Sequence, residues 1–135
     1  MLDKKITTAQ DLDRYFAKTP QEAHDVATCA IERARRDFDA LIKVAPVQRT
    51  FDNTARALDI IGARMGNTRD ALFVLEMVSP DAALREACHE EVLRMQTFAV
   101  DAFSNKELYT AFADYVNGNA RQAKLTAEER YFLTE

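Results

Sequence analysis

Residues 19–42 read TPQEAHDVATCAIERARRDFDALI, and this stretch decides the fold. Thr19 can cap a helix, Pro20 suits the first helical position, and Glu22 sits where a capping-box partner belongs. Ala23, Val26, Ala27, Ala30, Ile31, Ala34, Phe38, Leu41 and Ile42 then recur at spacings of three and four. At 3.6 residues per turn those positions share one face, so a long amphipathic helix is predicted. It should end by Ala45, because Pro46 disfavours helical geometry in the residue before it.

The same period extends outward in both directions. Upstream, Thr7 or Thr8 can cap a short helix that presents Leu12, Tyr15 and Phe16 and stops near Lys18. Downstream, a third helix should begin near Asp52 or Asn53 and carry Ala55, Leu58, Ile61 and Met65. Gly66-Asn67 reads as a break, with Asn67 capping a further helix of Leu72, Leu75 and Val78 and Asp70 in its first turn. Ser79-Pro80 precedes another long helix from about Asp81 to Phe103, whose stripe is Leu84, Cys88, Val92, Met95, Ala99 and Ala102. Ser104 is expected to open the next helix with Glu107 as its partner, burying Leu108, Ala111, Phe112 and Tyr115. Gly118, in Asn117-Gly118-Asn119, is the natural left-handed stop. Thr126-Ala127-Glu128-Glu129 forms a last capping box, followed at once by Tyr131, Phe132 and Leu133.

The predicted fold class is therefore all-α, an up-and-down array of about six or seven helices without a sheet. Residues 1–135 are expected to form a single helical domain, since the length suits one core better than two. With only three glycines and three prolines, the chain is poor in the turn residues that sheet folds use.

A net charge of −4 with mixed signs argues against nucleic-acid binding, which needs a basic face to displace counterions. The Arg33, Arg35 and Arg36 cluster is largely cancelled by Asp37 and Asp39. No apolar run suits a bilayer and the first ten residues lack a signal peptide's apolar region, so a cytoplasmic protein without a membrane partner is expected. Cys29 and Cys88 both read as core positions and as free thiols.

No catalytic constellation is complete. His89-Glu90-Glu91-Val92-Leu93 begins like H-E-x-x-H, but Leu93 stands where the second histidine must bind the metal. Glu86 and His89 match one Glu-x-x-His of a di-iron bundle, yet the other histidine, His24, follows Gln21 and not a glutamate. Apolar surroundings would leave either thiol inert. The candidate lists of catalytic residues and of metal ligands are accordingly empty, no cofactor is expected in this chain, and substrate-binding residues are not identified.

Three stretches carry a resemblance. They are Arg49-Thr50-Phe51-Asp52-Asn53-Thr54 with Ala57-Leu58-Asp59; Val78-Ser79-Pro80-Asp81 with Leu84-Arg85-Glu86-Ala87; and residues 125–133, LTAEERYFL. In this order they resemble the N-terminal helical region of the thimet oligopeptidase, neurolysin and oligopeptidase A family, zinc metallopeptidases that cut short peptides inside a deep channel. The resemblance covers residues 46–135; the earlier residues match only as a compatible helix pattern. It implies a portion of the channel wall and scaffold of a zinc-dependent oligopeptidase. The family's zinc motif lies far downstream, so the resemblance transfers no catalytic or metal-binding residue to any position here. The implied partners are a C-terminal catalytic region holding the zinc and, through it, a peptide substrate.

The last helix has a clear start and no stop signal before Glu135, like a chain cut inside a helix. An apolar face left open there, with self-association of the fragment, is the corresponding expectation. Two other readings compete: a free-standing helical protein-binding module without enzymatic activity, and an independent helical enzyme with a di-metal site.

Overall fold

A computed structural model of the chain describes residues 7–134. Among the described residues seven α-helices follow in order: α1 (Ala9–Asp13), α2 (Pro20–Ile42), α3 (Ala57–Val78), α4 (Ala82–Phe103), α5 (Lys106–Asn117), α6 (Asn119–Gln122) and α7 (Ala127–Phe132). A 3₁₀ turn at Pro46–Gln48 lies between α2 and α3, and a π-helical turn at Asp52–Arg56 leads directly into α3. The fold is an all-α multi-helix array with no strand among the described residues.

The helix starts follow local chemistry. At α1, Thr8 and Asp11 exchange a complete capping box. At α2 the Thr19 hydroxyl accepts from Glu22 N–H at 3.1 Å, while the Glu22 carboxylate reaches one residue further back, to Lys18 N–H at 2.7 Å. Asp81 caps α4 by accepting from Ala83 N–H at 2.9 Å. Thr126 and Glu129 complete the capping box of α7.

Residues group into two compact units. The first combines the described residues up to Arg33 with Ala63–Ala99. Its core is Ala23, Ala27 and Ile31 from α2, Met65 and Leu72 from α3, and Leu84, Cys88, Val92 and Met95 from α4. Ala99, expected in the buried stripe, is only partly buried.

The second unit combines Ala34–Gly62 with the residues from Val100 onward. Ala34, Phe38, Leu41, Ala55, Ile61, Leu108, Ala111 and Tyr115 are buried there. Phe103 meets Phe38 edge-on with ring centroids 5.6 Å apart. Helix α5 packs on α6 and on both irregular turns.

Several expectations are corrected. Gly66-Asn67 does not break the chain: α3 runs through it. A mid-helix glycine costs about 1 kcal/mol, and the buried positions Ile61, Met65 and Leu72 continue one face across it. The cap of α5 is Asn105, whose side chain accepts from Glu107 and Leu108 N–H, whereas Ser104 still closes α4 by donating to Val100. Gly118 is not left-handed; its φ is −107° and ψ −101°. Glycine is nonetheless required there, because a Cβ would lie 2.9 Å from the Asp114 carbonyl oxygen. Helix α1 ends at Asp13 and not near Lys18. Cys29 is exposed, since it falls off the Ala23–Ala27–Ile31–Ala34 face.

Candidate functional site

The two histidines singled out by sequence lie in the first unit, and each is held by a glutamate from another helix. His89 on α4 meets Glu76 on α3, Nδ1 to Oε1, at 2.9 Å. That hydrogen bond, and then the negative charge of the same carboxylate, holds the imidazole pKa above its ordinary value. The neighbour expected from the Glu-x-x-His spacing, Glu86, is exposed. Leu93, in place of a second histidine, is half exposed.

His24 on α2 meets Glu91 on α4, Nδ1 to Oε1, at 2.8 Å. The other oxygen of Glu91 accepts from Arg94 Nε at 2.6 Å. Arg94 Nη2 in turn donates to the Thr28 hydroxyl at 2.7 Å. Glu91 is buried, so its charge depends on these two partners for the solvation that water no longer supplies. Cys88, fully buried beside this group, has its thiol pKa pushed up by burial first and then by Glu76 and Glu91.

Thr28 Oγ1 lies 3.5 Å from His24 Nε2, so hydroxyl, imidazole and carboxylate stand in the order of a nucleophile, a base and its orienting acid. The rest of such a centre is not built. All four residues lie within α2 and α4, where backbone N–H groups are spent on the helix and cannot serve as oxyanion donors. Both Glu91 oxygens are taken, and Arg94 already occupies the threonine hydroxyl. The arrangement is a clip fastening α2 to α4.

Nor does the donor set fit zinc. Among the described residues no group of three or more His, Cys, Asp or Glu side chains is placed to hold a metal ion. Catalytic zinc takes three protein ligands.

In the second unit, Arg49 is buried, and its Nη1 and Nη2 donate to the Leu41 and Ile42 carbonyls at 3.2 and 3.1 Å. It thereby caps the last carbonyls of α2, of which that of Leu41 also accepts from Val44 N–H. Asn119 Nδ2 donates to the carbonyls of Pro46 and Arg49 and pins the intervening turn. Thr50 and Asn53 exchange reciprocal hydrogen bonds that start the π turn. The Tyr115 hydroxyl and Arg49 Nε are buried without a hydrogen-bond partner. Burial, ahead of the charges of Glu129 and Asp52, raises the Tyr115 pKa.

Two of the three stretches that carry the resemblance come together here. Phe51 meets Phe132 edge-on at 5.9 Å. Arg56 stacks over Phe51 at 5.4 Å and binds Glu129 at 3.1 Å. Helix α7 therefore has an apolar partner within its own unit, although Tyr131 remains exposed beside a shallow groove formed with Ala127, Glu128 and Phe132.

Compared with family models, with curated proteins and with solved structures, the chain matches none. No helix among the described residues is long and apolar enough to cross a membrane.

The clip of His24, Glu91, Arg94 and Thr28 escaped sequence reasoning. Its signal was Glu91 itself, an acid lying between Cys88, Val92 and Met95 on the buried face, with Arg94 three residues on.

Proposed function

We propose that this chain is a non-catalytic helical scaffold and forms a portion of the channel wall of a zinc-dependent oligopeptidase of the thimet type. The observation that carries the reading is the meeting of residues 49–56 with residues 125–133. Phe51 packs on Phe132 and Arg56 bonds Glu129. Those stretches are two of the three that resemble the family, and they lie far apart in sequence. The third, around residues 78–87, forms the corner between α3 and α4, where Asp81 caps α4 and Arg85 Nη1 donates to the Ser79 carbonyl at 2.7 Å. The catalytic zinc and its ligands belong, on this reading, to a separate region that cuts short peptides.

The test is purification of the native polypeptide with an antibody raised against this chain. A product larger than 15.3 kDa, carrying zinc and a chelator-sensitive activity on short peptides, supports the proposal. A 15.3 kDa product without associated peptidase activity overturns it.

A second reading, a free-standing helical binding module, is favoured by one observation. Phe73, Val74, Met77 and Val78 on α3 form an exposed apolar strip.

A further inference from the structure

Helix α7 is six residues long and none of its side chains is buried. A helix so short is marginal by itself, so its persistence depends on what it touches. Among the described residues, every hydrogen bond, ion pair and ring contact that α7 makes outside residues 125–134 goes to the turn that leads into α3. Glu129 Oε1 accepts from Arg56 Nη2 at 3.1 Å, and the Phe132 ring meets Phe51 edge-on at 5.9 Å.

Both contacts depend on helical geometry, from either side. In α7, Glu129 and Phe132 are three residues apart and share a face only while the segment is wound. The same carboxylate closes the capping box: Glu129 Oε2 accepts from Thr126 N–H at 2.9 Å while Oε1 holds Arg56. In the turn, Arg56 N–H donates to the Phe51 carbonyl at 2.9 Å, a π-helical step of five residues. That step lays the guanidinium over the Phe51 ring at 5.4 Å, so a cation and a ring stand together to receive a carboxylate and a ring. An unwound segment cannot present both groups at once, and an undocked one has little to keep it wound.

We propose that α7 is a strap that folds and docks in a single step, opening and closing on the π turn through Arg56 and Phe51. Opening parts Phe51 from Phe132 and frees the Arg56 guanidinium, while α5, which buries Leu108, Ala111 and Tyr115, stays folded. The irregular five-residue step before α3 is then the receptor of the strap. The proposal is independent of the peptidase reading and of the binding-module reading.

The test is amide hydrogen exchange followed by NMR on the full chain, with the amides of α5 as the internal reference. In the parent chain the amides of Arg130, Tyr131, Phe132 and Leu133 should report one common opening, more frequent than that of α5 by roughly tenfold or more. Arg56→Gln leaves the capping box whole but removes the ion pair and the stacked cation. It should make that opening more frequent at all four amides by roughly three- to tenfold. Thr126→Ala weakens only the start of the helix, yet it should weaken the Phe51–Phe132 ring contact in parallel, read from ring-current shifts. Raising salt from about 0.05 to about 1 M should open the parent chain and leave Arg56→Gln unaffected. Circular dichroism confirms that each variant is folded. Unchanged α7 exchange in Arg56→Gln, unrelated rates at the four amides, or a Thr126→Ala helix that opens faster while the ring contact keeps its full strength overturns the proposal. So does protection of α7 equal to that of α5, since the helix would then be a fixed part of its unit.

Discussion

His24 and Glu91 meet at 2.8 Å between α2 and α4, one side chain half exposed and the other buried. The pair is extended by Arg94 on the second carboxylate oxygen, so each oxygen of the buried carboxylate has a partner from a different side chain. Removing the carboxylate should cost more than replacing it. Glu91→Ala leaves a cavity and two donors without an acceptor, and a loss of about 2–3 kcal/mol is expected. Glu91→Leu refills the space with apolar volume and should cost less. Urea denaturation of both variants checks this order, and equal losses would show that the clip is not what stabilises the contact.

Leu84 occupies the first buried turn of α4 and is 5 % exposed. Leu84→Asp strands a charge in apolar packing and should destabilise the chain by about 3–4 kcal/mol. The measurement is the thermal midpoint of the helical circular dichroism signal. A midpoint within a degree of the parent chain would remove Leu84 from the core.

The two thiols should separate by reactivity. Cys29 is exposed; Cys88 is buried and has its pKa raised by burial and by the charges of Glu76 and Glu91. Since the thiolate is the reactive form, iodoacetamide should label Cys29 in the folded chain and Cys88 only after unfolding. Mass spectrometry of peptides from a timed reaction reads the outcome, and equal rates would contradict the burial of Cys88.

The folded-state pKa of His89 lies above the ordinary imidazole value of 6.5, chiefly through its hydrogen bond to Glu76. The stability it contributes is fully present below pH 6.5 and is lost as pH rises through the raised folded value. An NMR titration should place the His89 midpoint above 6.5, and Glu76→Gln should bring it back toward that value. The smaller effects of Glu86 and Glu90 persist in that variant. A midpoint unmoved by Glu76→Gln would show that the pairing does not form in solution.

Much of the helical architecture was legible because it rests on two local signals, the spacing of apolar residues and the chemistry of caps. A threonine cap at Thr7 or Thr8, the Thr126–Glu129 box, and the Leu84–Cys88–Val92–Met95 stripe could all be read from order alone; that Thr8 caps, with Asp11, came from the structure. The misreadings occur where a local preference is outweighed by something distant or by geometry. Gly66 suggested a break, yet Met65 and Leu72 keep the helix packed through it. Gly118 suggested a left-handed stop, but its glycine answers a close approach to Asp114. Ser104 and Asn105 are both capping residues, and spacing alone does not choose between them.

The polar clip was hidden for a different reason. His24 and Glu91 are 67 residues apart, and no local pattern announces a contact of that separation. The motif that did stand out, His89-Glu90-Glu91, misleads because its members diverge. His89 turns to Glu76, Glu90 to solvent, and Glu91 inward to His24 and Arg94.

The central claim is that this chain supplies scaffold and no catalytic centre of its own. Elemental analysis of the purified chain together with a quenched-fluorescent peptide assay tests it most directly. The account predicts substoichiometric zinc and no hydrolysis above buffer, because His24 and His89 are each committed to a glutamate and, among the described residues, no group of three ligands is placed to hold a metal ion. One zinc per chain with chelator-sensitive peptide cleavage, both lost on His89→Ala, would contradict it.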